Sequence, residues 1–150
     1  MTARAAISRH ARSRGSTLVE FSLCAFLLMT MSLAAIEFGR MLLVYTTVAN
    51  ASRVGARYAI VHGDTRTGTG ADGPSGPGNN PAQVVQVVKN FASAGLLDTS
   101  RLAINITYPD ALNTVGSHVN ISVVYPYDPF TTFLPLRVRL GSATQGIIVF

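Results

Sequence analysis

The stretch Arg14-Gly15-Ser16-Thr17-Leu18-Val19-Glu20-Phe21, continued by an apolar run and closed by Ile36-Glu37-Phe38-Gly39-Arg40, decides how this chain is built. From Phe21 to Ile36 there is no formal charge. Read as helix, Ser16 to Ile36 is 21 residues. At ~1.5 Å per residue that is roughly 31 Å, against a hydrocarbon core of ~30 Å. Soluble domains seldom open on so long an uncharged helix, so the stretch reads as a membrane span. Glu20 is its odd residue. An ionised carboxylate in lipid costs on the order of 2.5–3.5 kcal/mol on insertion scales. Either Glu20 lies at the headgroup level and stays solvated, or it has a task inside the membrane.

Charge is distributed to match. The 150 residues carry a net +5, but the excess is local. Arg4, Arg9, Arg12 and Arg14 crowd residues 1–15 with no acid; the remainder holds eight Lys/Arg against seven Asp/Glu. The pI near 10 is therefore no sign of a nucleic-acid surface. Arginines before a span read as a cytoplasmic flank, which places the N-terminus in the cytoplasm and residues after about 40 outside. Cys24 is the single cysteine and lies in the span, so neither an intrachain disulfide nor a zinc set is available. Two other targeting readings remain open. One is a secretory signal peptide cut near Ser32-Leu33-Ala34-Ala35, against which stand the length of the apolar run and Glu20 at its start. The other is an uncleaved signal anchor.

Gly15, four residues, then Glu20 and an aromatic resembles the processing site of type IV prepilins. That likeness implies a cytoplasmic-face cut after Gly15 by a prepilin peptidase, with Ser16 as the new N-terminus and Glu20 at mature position five. A second block reads Ile36-Glu37-Phe38-Gly39-Arg40, and a third Asn50-Ala51-Ser52-Arg53-Val54-Gly55-Ala56-Arg57-Tyr58-Ala59. Together the three resemble the TadE-like family, minor pilins or pseudopilins of tight-adherence (Flp) pilus systems, over about residues 14–61. The resemblance implies an assembly role, a companion pseudopilin, a major pilin and an inner-membrane pilus platform as partners, and contact with membrane lipid. Glu37, Phe38, Gly39 and Arg40 then form a membrane-edge and packing motif, and Arg53, Gly55, Arg57 and Tyr58 a helix-packing set. The bland account of the same residues is Arg40 snorkelling at the membrane edge, Glu37 pairing with it at i,i+3, and Gly39 and Gly55 admitting close helices.

The rest of the chain reads as α+β. Residues 1–15 form a basic leader without regular structure, and residues 16–61 one proline-free helix. Past Ile36 that helix becomes amphipathic: Arg40, Thr47, Asn50, Arg53 and Arg57 share a polar stripe, and Leu42, Tyr45, Ala49, Ser52, Ala56 and Ala59 a mostly apolar face. Such a face calls for a partner: the C-terminal domain, neighbouring subunits, or both. Residues 62–80, rich in glycine, proline and small polar residues, read as a flexible loop. Asp64 and Asp72 do not have EF-hand spacing. Asn80 and Pro81 predict a helix start, with Pro81 first in the helix. That helix runs from Ala82 to about Ala94, ends at Gly95, and buries Val84, Val85, Val88, Phe91 and Ala92.

Three strands follow: Leu102 to Tyr108, Val119 to Tyr125, and one within residues 137–149. Their period-two alternation predicts an antiparallel sheet with one wet face. Residues 81–150 thus form a small periplasmic α+β domain. Phe130 and Phe133, between Pro126 and Pro135, either close the end of its core, the favoured reading, or form an exposed contact surface. No catalytic constellation emerges. His10, His62 and His118 have no metal-ligand spacing, no nucleophile elbow occurs, and the five Asp after the span sit in turn-like company. The expectation is a non-enzymatic interaction protein without cofactor or metal. The alternative to a pseudopilin is an uncleaved single-pass protein with a periplasmic binding domain.

Overall fold

The computed structural model describes residues 3–76, 81–130 and 138–150, with side chains from Gly15 onward. Helix α1 runs Ala3–Ile60, helix α2 Ala82–Ala94, and strands β1 Ala103–Thr107, β2 His118–Tyr127 and β3 Val138–Ile147. The result is the expected α+β set: a long N-terminal apolar helix, one further helix and a three-strand antiparallel sheet. Helix α1 starts at Ala3, not at Ser16. From Ala3 on, the basic leader is thus helical, and the reason is local: its alanines and arginines are strong helix formers and no proline interrupts them.

Contacts divide the chain after Gly39. Among the described residues the first unit is helix alone. It exposes Leu18, Phe21, Phe26, Met29 and Ile36. It holds the apolar core of the one helix, among the described residues, long and apolar enough to cross a membrane. The second unit, Arg40–Phe150, contains the remainder of α1, α2 and the sheet.

The sheet is a meander in the order β1-β2-β3, both pairs antiparallel. Its register places Ile106 opposite Ile121 and Thr144 opposite Ile121 on the other side. Alternation therefore sorts the faces as expected. Ile106, Val119, Ile121 and Val123 are fully buried, while Asn105, Asn120, Arg139 and Gln145 are exposed. Fully burying side chains of this size contributes about 1.5–3 kcal/mol each. Strand β2 continues through Pro126, beyond the expected end at Tyr125. It can do so because pairing with β1 stops at Val124, so the proline breaks no ladder on that side.

Helix α2 keeps its expected span, but three details differ. Pro81 is the N-cap, with ψ 128°, rather than the first helical residue. Phe91 is 36% exposed, and the buried stripe is Val84, Val88 and Ala92. The left-handed residue after the helix is Leu96 (φ 62°), not Gly95 (φ −83°). Gly95 is needed for closeness instead: a Cβ there would collide with Thr47 Cγ2 of α1. Asn80 and Phe133 lie outside the described residues.

The second half of α1 packs its buried stripe against both α2 and the sheet, while Asn50, Arg53 and Arg57 stay exposed. Val48, Ala51, Ser52, Ala56 and Ala59 are buried. Leu42 and Tyr45, expected on that face, are half exposed, and Val44 and Val48 occupy the inner side in their place. Successive contacts set the direction. Arg40 lies beside Tyr127, Ser52 beside Ser142 and Thr144, and Ile60 beside Gly146. Strand β2 therefore runs opposite to α1, with its Tyr127 end at Arg40.

Residues 61–76 are fastened to the second unit. His62 is buried and stacks on Tyr58, centroids 3.8 Å apart. Its carbonyl accepts from both the N–H (2.7 Å) and the hydroxyl (3.0 Å) of Ser75. The Ser75 hydroxyl also bonds the Tyr108 hydroxyl at 2.9 Å.

Candidate functional site

All the residues singled out in the sequence lie on α1. Gly15, Ser16 and Glu20 are exposed. Gly15 to Glu20 is five residues, an axial rise of about 7.5 Å. A Cβ added at Gly15 or at Gly39 would meet nothing within 4 Å. Glycine inside a helix costs roughly 1 kcal/mol relative to alanine. Among the described residues, packing therefore gives no reason for glycine at these two positions. Gly55 is the opposite case. Its Cβ would stand 2.5 Å from Val88 Cγ2 and 3.4 Å from Ile121 Cδ1, so the absence of a side chain lets α2 and the sheet close on α1.

The membrane-edge motif divides at the unit boundary. Glu37 is half-buried, while Phe38 and Gly39 are exposed. Arg40 opens the second unit. Its guanidinium carbon lies 5.8 Å from the centroid of the Tyr127 ring and 5.9 Å from that of Phe130. Cation–π geometry of this kind is worth about 0.5–1 kcal/mol at exposed sites. Arg40 thus fastens the helix to the far end of β2, which snorkelling alone would not require. Phe130, expected in the core, is 83% exposed. It follows Pro129 in the turn after β2, where the chain leaves the sheet.

The packing set is split as well. Gly55 is buried, Arg53 and Arg57 are exposed, and Tyr58 is half-buried. Arg53 reaches back to Asn50 Oδ1 at 3.5 Å. Arg57 lies in the last turn of α1, where a cation complements the helix dipole. The Tyr58 hydroxyl donates to the Ala71 carbonyl. Its carbonyl accepts from His62 Nδ1 at 2.7 Å, a bond that places the imidazole hydrogen on Nδ1. Burial first and Asp72 second push the Tyr58 hydroxyl pKa up, opposed by Arg66. Tyr58 therefore organises the following loop.

Sequence reading missed the partners of these residues. Ser52 is fully buried, and its hydroxyl meets Thr144 Oγ1 at 2.9 Å, Ser142 Oγ at 3.3 Å and the Ala49 carbonyl at 2.9 Å. A serine on the small-residue face of a helix, with alternating small hydroxyl residues on a strand, was the available signal. Tyr127 and Phe130 carried none, because nothing local links a turn to a residue 87 positions earlier. Among the described residues no group of three or more His, Cys, Asp or Glu is placed to hold a metal ion.

A family model, that of TadE-like protein, matches residues 15–57. The match begins at the candidate cut-site glycine and ends at Arg57. The TadE-like segment is thus α1 alone, from the candidate span through the packed half, and leaves α2 and the sheet outside. No curated protein and no solved structure matches the chain.

Proposed function

We propose that this chain is a pseudopilin or minor pilin of a tight-adherence (Flp) pilus or related secretion machine. It is held in the bacterial inner membrane by a single pass, with the N-terminus cytoplasmic and the second unit periplasmic. The observation that carries the reading is the TadE-like match beginning at Gly15, a glycine the chain's own packing does not require. Gly15 suits the position before a cut because it lacks a side chain and admits extended backbone in a protease cleft. Cutting there leaves a cationic amine on Ser16 and makes Glu20 the fifth residue of the shortened helix, one turn from that amine.

Exposure of α1 supports an assembly role. Leu42, Leu43 and Tyr45 lie past Arg40 and remain about half exposed or more, although they belong to the second unit. A neighbouring subunit would cover them. The partners in this reading are the prepilin peptidase, a companion pseudopilin, a major pilin and the inner-membrane platform. The protein performs no catalysis of its own and acts by occupying a place in the assembly.

The test is the mature N-terminus, read by mass spectrometry on membrane-extracted protein from cells with and without the prepilin peptidase. A start at Ser16 that depends on the peptidase is the expected result. An intact N-terminus would mean an uncleaved single-pass protein with a periplasmic binding domain. A start near Ile36 would mean a signal peptide, and the pilin reading would fall.

A further inference from the structure

Arg40 and Phe130 are 90 residues apart in sequence, yet the guanidinium lies 5.9 Å from the ring centroid. Arg40 is also separated from the uncharged run Phe21–Ile36 by Glu37, Phe38 and Gly39 only. Four residues of helix rise about 6 Å, and the headgroup layer on each side of the hydrocarbon is of similar depth. If the uncharged run spans the membrane, Arg40 is at the phosphates, and Phe130 is held at that level by contact within the second unit. The ring is 83% exposed, and the Tyr127 ring also lies beside Arg40. Tyrosine and arginine settle at a membrane interface, the guanidinium on phosphate, and phenylalanine is among the apolar residues that interfacial segments bury at the headgroup and acyl boundary.

We propose that the turn Tyr127-Asp128-Pro129-Phe130, together with Arg40, is a lipid-contact site that seats the second unit on the phospholipid headgroup layer. The ring of Phe130 enters the interface. Arg40, flanked by the Tyr127 and Phe130 rings, meets lipid phosphate. Asp128 does not oppose this with a bare charge, since its Oδ2 is paired with Arg101 at 2.5 Å. The loop between β1 and β2 is the natural contrast. Val115 is 57% exposed but precedes His118, at the other end of β2. Ten residues of strand separate the two ends, roughly 30 Å at ~3.3 Å per residue.

The proposal rests on the membrane-span reading, and one experiment separates the two. The chain contains no tryptophan, so each introduced indole reports alone. Phe130→Trp, Val115→Trp and Phe26→Trp are each made in the full chain. Each is reconstituted at one copy per nanodisc of phosphatidylethanolamine and phosphatidylglycerol. Quenching is measured with doxyl groups carried high or low on the acyl chain. The expected result is that the Phe130→Trp variant emits to the blue of the Val115→Trp variant. It should also be quenched at least roughly twofold more by the high doxyl group, as an interfacial ring should be. The Phe26→Trp variant should be quenched best by the low group. If Phe26→Trp is quenched and Phe130→Trp behaves like Val115→Trp, the lipid seat is wrong and the span stands. If Phe26→Trp escapes quenching, the span is wrong and the seat falls with it.

Discussion

Asp110 shows how much one side chain settles. Its Oδ2 accepts the backbone N–H of His118 at 2.8 Å and faces His118 Nδ1 at 2.9 Å, closing the loop before β2. The backbone bond first and the ring second hold the carboxyl below its ordinary value of 3.8. A carboxyl lowered on folding stabilises above its unfolded pKa and loses that contribution as pH falls through the folded one. Part of the acid instability therefore belongs below pH 3.8. Asp110→Asn should melt lower than the parent at neutral pH, and the two should converge as pH falls through that window, followed by circular dichroism. Asp98 is lowered too, by the Ser100 hydroxyl and then its N–H, so a smaller acid limb should remain in the variant. The two kinds of glycine on α1 make a second contrast. Gly55→Ala drives a methyl against the buried, short-stemmed Val88 and should destabilise by about 1–3 kcal/mol, net of the gain in helix propensity. Gly39→Ala meets nothing within 4 Å and should leave the melting temperature of the solubilised chain unchanged or raised. If both variants melt alike, the close approach at Gly55 is not what that glycine is for.

Among the elements, α1 and β3 make the least expected pair. The core face of β3 presents Ser142, Thr144 and Gly146, too small to drive burial alone, and α1 answers with Ser52, Ala56 and Ala59. What couples them is a hydroxyl cluster. Ser52→Ala leaves Thr144 Oγ1 short of a partner in a buried place, which costs about 1–2 kcal/mol. Thr144→Val should cost a similar amount. The double variant should recover roughly 0.5–1.5 kcal/mol of the summed loss, because neither partner is then left unpaired. Strict additivity in denaturant melts would show that the hydroxyls act separately. This pair also marks how far the sequence could be read. The wet and dry faces of β1 and β2 were legible because Ile104, Ile106, Val119, Ile121 and Val123 alternate with polar residues. The long helix was legible because nothing breaks it. Which side of α1 turns inward was not. Leu42 and Tyr45 are larger and more apolar than Ala51 and Ser52, yet the smaller residues are buried, since close approach of α2 and β3 rewards small size over hydrophobicity. In the candidate site, Gly15, Glu20 and the Glu37–Arg40 motif stood out as local patterns. Phe130 beside Arg40 did not, because that contact comes from tertiary folding.

At the scale of the whole molecule, the sharpest consequence concerns Glu20. In the uncut chain α1 begins at Ala3, so Glu20 sits inside a continuous helix, more than four turns from its start. There the carboxylate has no free helix N-terminus beside it. The proposed cut after Gly15 would change this without moving Glu20: the helix would then start at Ser16, with an ammonium group and unpaired N–H groups in its first turn. Glu20, the fifth residue of that helix, lies just past the turn in which the dipole favours a carboxylate by about 0.3–1 kcal/mol, so the dipole alone adds little. In the pilin assembly proposed above, the larger effect is expected between chains. When two such helices pack inside a membrane, an unpaired amine or carboxylate is expensive to bury, and the amine of one chain set against Glu20 of the next compensates both. Removing one member of a buried pair typically costs about 3–5 kcal/mol. Glu20→Ala should therefore insert and be cut like the parent, with the same membrane fractionation and the same Ser16 start by mass spectrometry. Its recovery in cross-linked assemblies with a companion pilin should fall by at least about tenfold, the equivalent of ~1.4 kcal/mol. Glu20→Gln separates charge from shape: it keeps the size and an acceptor oxygen but cannot neutralise the amine, so it should fail nearly as badly. A Glu20→Ala chain that assembles like the parent would remove the charge pair from the account and leave the exposed apolar face of α1 to set the register alone.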